Sequence, residues 1–114
     1  MEGKKFDGDK VRIELLPPEI VFAISEILTF GAKKYDDRNW ENGLHWSRVF
    51  GAVMRHMWAW WCGEDKDPES GMSHLWHAAC GLTFLVAYEA RGSGEDDRPD
   101  WKPNQKIMSH FPKI

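Results

Sequence analysis

Trp46-Ser-Arg-Val-Phe-Gly-Ala-Val-Met-Arg-His-Met-Trp-Ala-Trp-Trp-Cys62, then Gly63-Glu-Asp-Lys-Asp-Pro-Glu-Ser-Gly71, then Met72-Ser-His-Leu-Trp-His-Ala-Ala-Cys-Gly-Leu-Thr-Phe-Leu-Val-Ala-Tyr-Glu-Ala90 reads as helix, turn, helix. Val49, Val53, Met57 and Trp60 recur at helical spacing, so a helix is predicted from about 46 to 62, with Gly63 ending it. Leu75, Ala79, Leu82 and Val86 repeat the pattern to about 90, and either Ser70 or Ser73 can cap the start. Upstream, Pro17-Pro18-Glu19 opens another helix: proline suits the first turn, and an early carboxylate complements the positive end of the helix dipole. Ile20, Ile24, Ile27 and Leu28 form its apolar stripe, and Gly31 is a natural stop, giving a first helix over roughly 18 to 30.

The fold class that follows is all-α, with three main helices in a small bundle. Residues 31 to 45 form a long connection with room for one helical turn, and connections of this length are often functional. Trp58, Trp60, Trp61 and Trp76 fall on more than one helix face, so the bundle is expected to be completed by oligomerisation, as a homo-oligomer. Residues 1 to 91 make one helical domain, whose first 16 residues are an arm expected to dock by Leu15 and Leu16. Residues 92 to 114 are a polar C-terminal tail, expected to be mobile and pinned by Trp101 or Phe111.

Composition narrows the function. Fifteen Lys and Arg against eighteen Asp and Glu give a net charge of -3, which disfavours gripping duplex nucleic acid. No apolar run reaches membrane-spanning length and no signal-peptide core is present, so a cytoplasmic protein without membrane contact is expected. Cys62 and Cys80 lack metal-type or disulfide spacing and read as two buried thiols.

Two constellations carry chemistry. His74 and His77, at i and i+3, share a face of the third helix, while His56 lies on the Val49, Val53, Trp60 stripe of the second. Imidazoles so placed can converge on a transition metal, or each can serve structurally against a carbonyl or carboxylate. Glu64, Asp65, Asp67 and Glu69 crowd the intervening turn. Hard cations such as magnesium take carboxylate oxygens and bridge to phosphates, although Asp67 can equally cap the turn. Lys33, Lys34, Arg38 and Asn39 supply cationic and amide donors for a phosphate chain, and Trp40 or Trp46 can stack on a base; an ordinary basic loop is the plainer alternative. Glu19 and Glu26, seven residues apart, lie on one stripe of the first helix and can face a common ligand.

The runs Ile13-Glu-Leu-Leu-Pro-Pro-Glu19, Phe30-Gly-Ala-Lys-Lys-Tyr-Asp-Asp-Arg-Asn-Trp-Glu-Asn-Gly43 and Arg55-His-Met-Trp-Ala-Trp-Trp-Cys-Gly-Glu-Asp-Lys-Asp-Pro-Glu-Ser-Gly-Met-Ser-His-Leu-Trp-His-Ala-Ala79 resemble the phage-borne dATP/dGTP diphosphohydrolase N-terminal domain family, over roughly residues 4 to 90. The resemblance implies cleavage of a purine deoxynucleoside triphosphate to monophosphate and pyrophosphate, with magnesium or manganese as cofactor and a relationship to all-α, oligomeric MazG-like pyrophosphohydrolases. Those enzymes carry Glu-x-x-Glu and Glu-x-x-Asp pairs, whereas the comparable third-helix position here reads His74-Leu-Trp-His77. The family also leads one to expect an amide residue where Gly81 stands.

On these grounds the expected metal ligands are His56, Glu64, Asp67, His74 and His77, with Glu64 and Asp67 catalytic. The expected nucleotide contacts are Glu19, Lys33, Lys34, Arg38, Asn39, Trp40, Trp46, Arg55 and Trp60. The alternative is a nucleotide-binding module without hydrolysis, such as a sponge or sensor of a purine or signalling nucleotide.

Overall fold

The computed structural model describes residues 3–100. Three helices carry the fold: α1 Pro18–Lys34, α2 Trp46–Trp61 and α3 His74–Arg91. α3 is the central element, packing against α2 over a long contact and against α1 over a shorter one. α1 and α2 therefore diverge over the face of α3, and the space between them is a groove. The buried core is small: Ala23 and Ile27 from α1, Val49 and Val53 from α2, and Ala78, Cys80 and Tyr88 from α3.

α1 begins as the two prolines and Glu19 dictate, but it does not stop at Gly31. It runs one turn further, through Lys33 and Lys34. A single glycine costs a helix only about 1 kcal/mol, and two lysines in the last turn complement the negative end of the dipole. The basic pair thus belongs to a helix end and not to the loop. After it, a short 3-10 turn, Asn39–Asn42, follows Arg38, whose backbone is left-handed at φ 58°.

α2 ends in a Schellman motif. Gly63, at φ 98°, donates its N–H to the Trp60 carbonyl and Glu64 donates to Ala59, both at 3.0 Å, the paired bonds that close a helix on a left-handed glycine. Glu64 therefore lies past the end of the helix. Cys62, at the cap, is exposed and only Cys80 is buried, which corrects the reading of two buried thiols: the helix ends before Cys62 can turn inward.

Ser73 is the N-cap of α3, its side chain accepting from the Leu75 amide. Tyr88, fully buried, donates its hydroxyl to the Trp40 carbonyl at 2.6 Å, pinning the 3-10 turn to α3. Beyond α3 the chain returns to the start of α2. Glu95 donates to the Leu44 carbonyl and accepts from the Trp46 amide, while both Asp97 oxygens engage Ser47, through its amide and its hydroxyl. A carboxylate here meets free amides at a helix N-terminus. Gly94 makes the crossing possible, since a Cβ there would stand 2.7 Å from the Leu44 carbonyl oxygen. The expected anchors Trp101 and Phe111 lie outside the described residues.

At the other end, Leu15 and Leu16 are 66% and 56% exposed, so the arm does not dock by its apolar end against this chain. Among the described residues, no helix is long and apolar enough to cross a membrane.

Candidate metal centre and groove

The turn between α2 and α3 folds back on itself. Asp67 donates its N–H to the Met72 carbonyl and His74 donates to Asp65, so the loop returns His74 to the level of the last turns of α2. His56 reaches the same point from the stripe that buries Val49 and Val53. The Nδ1 atoms of His56 and His74 lie 2.9 Å apart, and the Asp67 Oδ2 lies 3.8 Å from His56 Nδ1. Among the described residues, His56, Asp67 and His74 form the group whose donor atoms all lie within 4.8 Å of one another. Donors bound to one ion through bonds of about 2.0–2.2 Å stand ~3 Å apart, a spacing that the two Nδ1 atoms already have and the carboxylate oxygen exceeds.

Asp67 divides its carboxylate between two tasks. Oδ1 accepts from the amides of Glu69 at 2.8 Å and Ser70 at 3.1 Å, the capping role, which leaves Oδ2 toward the histidines. Partial burial pushes its pKa up, but the Ser70 and Glu69 amides and the nearby His77 and His56 outweigh this and hold it below the ordinary carboxylate value. Burial, reinforced for each by neighbouring imidazoles, lowers the pKa of both His56 and His77, leaving them neutral near pH 7 and competent as ligands.

The other two expected ligands stand differently. Glu64 reaches His74 from behind, Oε1 at 2.7 Å from Nε2. His77 stacks flat on His56, with centroids 4.5 Å apart, and directs Nε2 to the Ser70 hydroxyl at 2.7 Å.

His56 and Asp67 of the cluster face the groove, about 1140 Å³ in volume, slightly above the roughly 300–1,000 Å³ usual for a small-molecule site, while His74 is buried behind them. His56, Asp67 and His77 line one part of it; Cys80, Gly81 and Phe84 of α3 contribute as well. Of the expected nucleotide contacts, Lys34, Arg38, Asn39, Trp40 and Arg55 line the groove. Lys34 is already paired with Glu69 at 2.5 Å. Trp40 is stacked on Phe84 with centroids 4.6 Å apart, so one of its faces is taken. Glu19, Lys33, Trp46 and Trp60 do not line it. Trp46 instead donates its indole N–H to the Ser93 carbonyl, and Glu19 is exposed on α1, as is its stripe-mate Glu26. Arg48 was missed by sequence reading although it lines the groove with Arg55; its spacing of seven residues, nearly two helical turns, was the available signal. Gly81 explains why an amide does not fit: a Cβ there would lie 2.4 Å from Val53 Cγ2, so α2 occupies the space a longer side chain needs.

The family model described as dATP/dGTP diphosphohydrolase, N-terminal, matches residues 1–98. A dATP/dGTP diphosphohydrolase of Salmonella phage PMBT28 is 36% identical over 98 residues, covering 86% of this chain. The chain spans about a third of that relative's length, 33%. No solved structure matches the chain.

Proposed function

The chain belongs to the dATP/dGTP diphosphohydrolase N-terminal family, and on that premise we propose that the groove binds a purine deoxynucleoside triphosphate and, with a divalent metal, hydrolyses it to monophosphate and pyrophosphate. The observation that carries this reading is that His56 and Asp67, clustered with the buried His74, line the same groove as Arg48 and Arg55. Arginines make strong, often bidentate, bonds to phosphate oxygens, and a metal end beside a cationic wall is the arrangement a polyphosphate needs. Two imidazoles and one ionised carboxylate oxygen are a chemically suitable donor set for a divalent ion. When bound, such an ion would supply charge neutralisation and an acidified water. Asp67, ionised at neutral pH, accepts a hydrogen bond from the attacking water. Water oxygen bonds to the α-phosphorus while its proton passes along that hydrogen bond to Asp67, the bond from the α-phosphorus to the bridging oxygen breaks, and pyrophosphate leaves with that oxygen. Leu44, Phe84 and the edge of Trp40 offer the base an apolar surface.

The test is pyrophosphate release from dGTP, dATP and their ribonucleotide counterparts, with and without divalent metals. We expect Arg55→Ala and Arg48→Ala each to weaken nucleotide binding about tenfold or more, the cost of a charge-assisted hydrogen bond. No metal-stimulated release from any purine triphosphate would overturn hydrolysis. The second reading, a nucleotide-binding module, draws on the partial coverage of the phage relative; tight nucleotide binding in calorimetry without turnover or metal dependence would select it.

Self-association is part of the same proposal. Phe50, Met54, Met57, Trp58 and Trp61 are 44–72% exposed and share the side of α2 turned away from the groove-lining Arg48 and Arg55. That apolar stripe, beside so small a core, supports a second copy packing there. Light scattering should give a mass above one chain, and Trp58→Glu with Trp61→Glu should return it to the monomer.

A further inference from the structure

We infer that Glu64 is not a ligand but the carboxylate that orients His74, and that the resulting set of two imidazoles and one carboxylate oxygen selects a nitrogen-preferring transition ion of the zinc and cobalt class over magnesium. The inference rests on the reading that this cluster binds metal. A carboxylate only accepts hydrogen bonds, so the 2.7 Å contact between His74 Nε2 and Glu64 Oε1 requires Nε2 to carry the proton. The Nδ1 of a neutral His74 is then the ring's acceptor. His74 is only 4% exposed, so water has little access to the ring, and its Nδ1 accepts from His56 Nδ1 at 2.9 Å; a metal ion between them would replace that bond, with the His56 proton carried on its other nitrogen.

A histidine that presents one nitrogen to a metal while donating the other to a carboxylate is the usual outer support of a transition-metal site, and it raises the basicity of the ligating nitrogen. Glu64 fills that outer place. Asp67 has Oδ1 committed to two amides, so it adds one oxygen and not two. Magnesium prefers an all-oxygen shell and gives up its waters reluctantly, whereas imidazole suits zinc and its neighbours. The donor chemistry therefore departs from magnesium, one of the two ions that the family resemblance implies.

The experiment uses the full metal-free chain without nucleotide. Cobalt(II) is followed by its visible absorption, and zinc and magnesium are followed by calorimetry and by competition against bound cobalt. We expect cobalt and zinc to bind and millimolar magnesium not to displace cobalt. His74→Ala should abolish cobalt binding. Glu64→Ala should weaken it roughly 10–100-fold with the helical circular dichroism unchanged. Glu64→Gln, whose carbonyl can still accept from Nε2, should weaken it less and guards against a folding defect in the alanine variant. Displacement of cobalt by magnesium, unchanged affinity in both Glu64 variants, or loss as complete as His74→Ala in both, would each overturn the inference. Cobalt bound without any pyrophosphate release leaves it standing and counts against hydrolysis; turnover under magnesium in a chain that does not bind cobalt does the reverse.

Discussion

Replacing Gly81 by alanine tests the contact on which the whole site depends. Gly81 lies within α3, where alanine would by itself favour the helix by about 1 kcal/mol. Its added Cβ, however, would sit 2.4 Å from Val53 Cγ2 and 3.9 Å from Val49 Cγ1, and ordinary contact begins at 3.4 Å. The shortfall is 3.4 minus 2.4, or 1.0 Å, against a Val53 side chain only 3% exposed with little room to yield. Overpacking of this kind costs about 1–3 kcal/mol, so Gly81→Ala should be destabilising by up to about 2 kcal/mol after the helix gain of about 1 kcal/mol is subtracted. In a Val53→Ala background the obstructing methyl is gone, and the same change should stabilise. The coupling between the two positions is then about 1–3 kcal/mol. Urea unfolding of the four proteins, followed by far-ultraviolet circular dichroism, measures it. Because relief of the overlap pushes α2 away from α3, Gly81→Ala should also open the His56–His74 approach and weaken cobalt binding. Effects that add to within about 0.5 kcal/mol would refute the close packing of α2 on α3.

Tyr88→Phe removes one of two bonds to the Trp40 carbonyl, which keeps the Gly43 amide, and should cost about 1 kcal/mol, seen as a lower urea midpoint at unchanged slope together with altered tryptophan fluorescence. Because burial holds His56 and His77 below the ordinary histidine value, the unfolded chain binds more protons than the folded one once the pH drops below about 6.5. The metal-free protein should be at full stability above that pH and lose stability as it falls toward the depressed folded values. Urea midpoints between about pH 5 and 7.5 check this, and a profile that rises toward acid would contradict it. Cys80 is pushed up to about 11 by burial while Cys62 is exposed, so a thiol reagent should label Cys62 at once in the native protein and Cys80 only on unfolding.

Much of the fold was legible because it is local. The spacing of Val49, Val53 and Trp60, the paired prolines before Glu19 and the serine before His74 act within one or two turns, and helices formed where those signals stood. Gly31 misled because a glycine is a stop only when nothing favours continuing, and the continuation gains two lysines at the helix end. Arg48 and Arg55 share a wall, which spacing could have told; that Trp46 turns from the groove to Ser93 could not be told, since its partner lies 47 residues away. A separation of 50 residues likewise hides Asp97 at the start of α2.

The histidines show where the division falls. Sequence alone determined that imidazoles from two helices and carboxylates from their connecting turn would lie close together, because helical periodicity and a short turn leave few alternatives. Only the tertiary structure decided their separate roles. The Schellman turn carried Glu64 behind His74, the loop amides took one oxygen of Asp67, and Ser70 took a nitrogen of His77. Those assignments depend on which atom faces which across α2 and α3, a matter of ångströms set by Gly81 against Val53, and residue spacing carries no information at that scale.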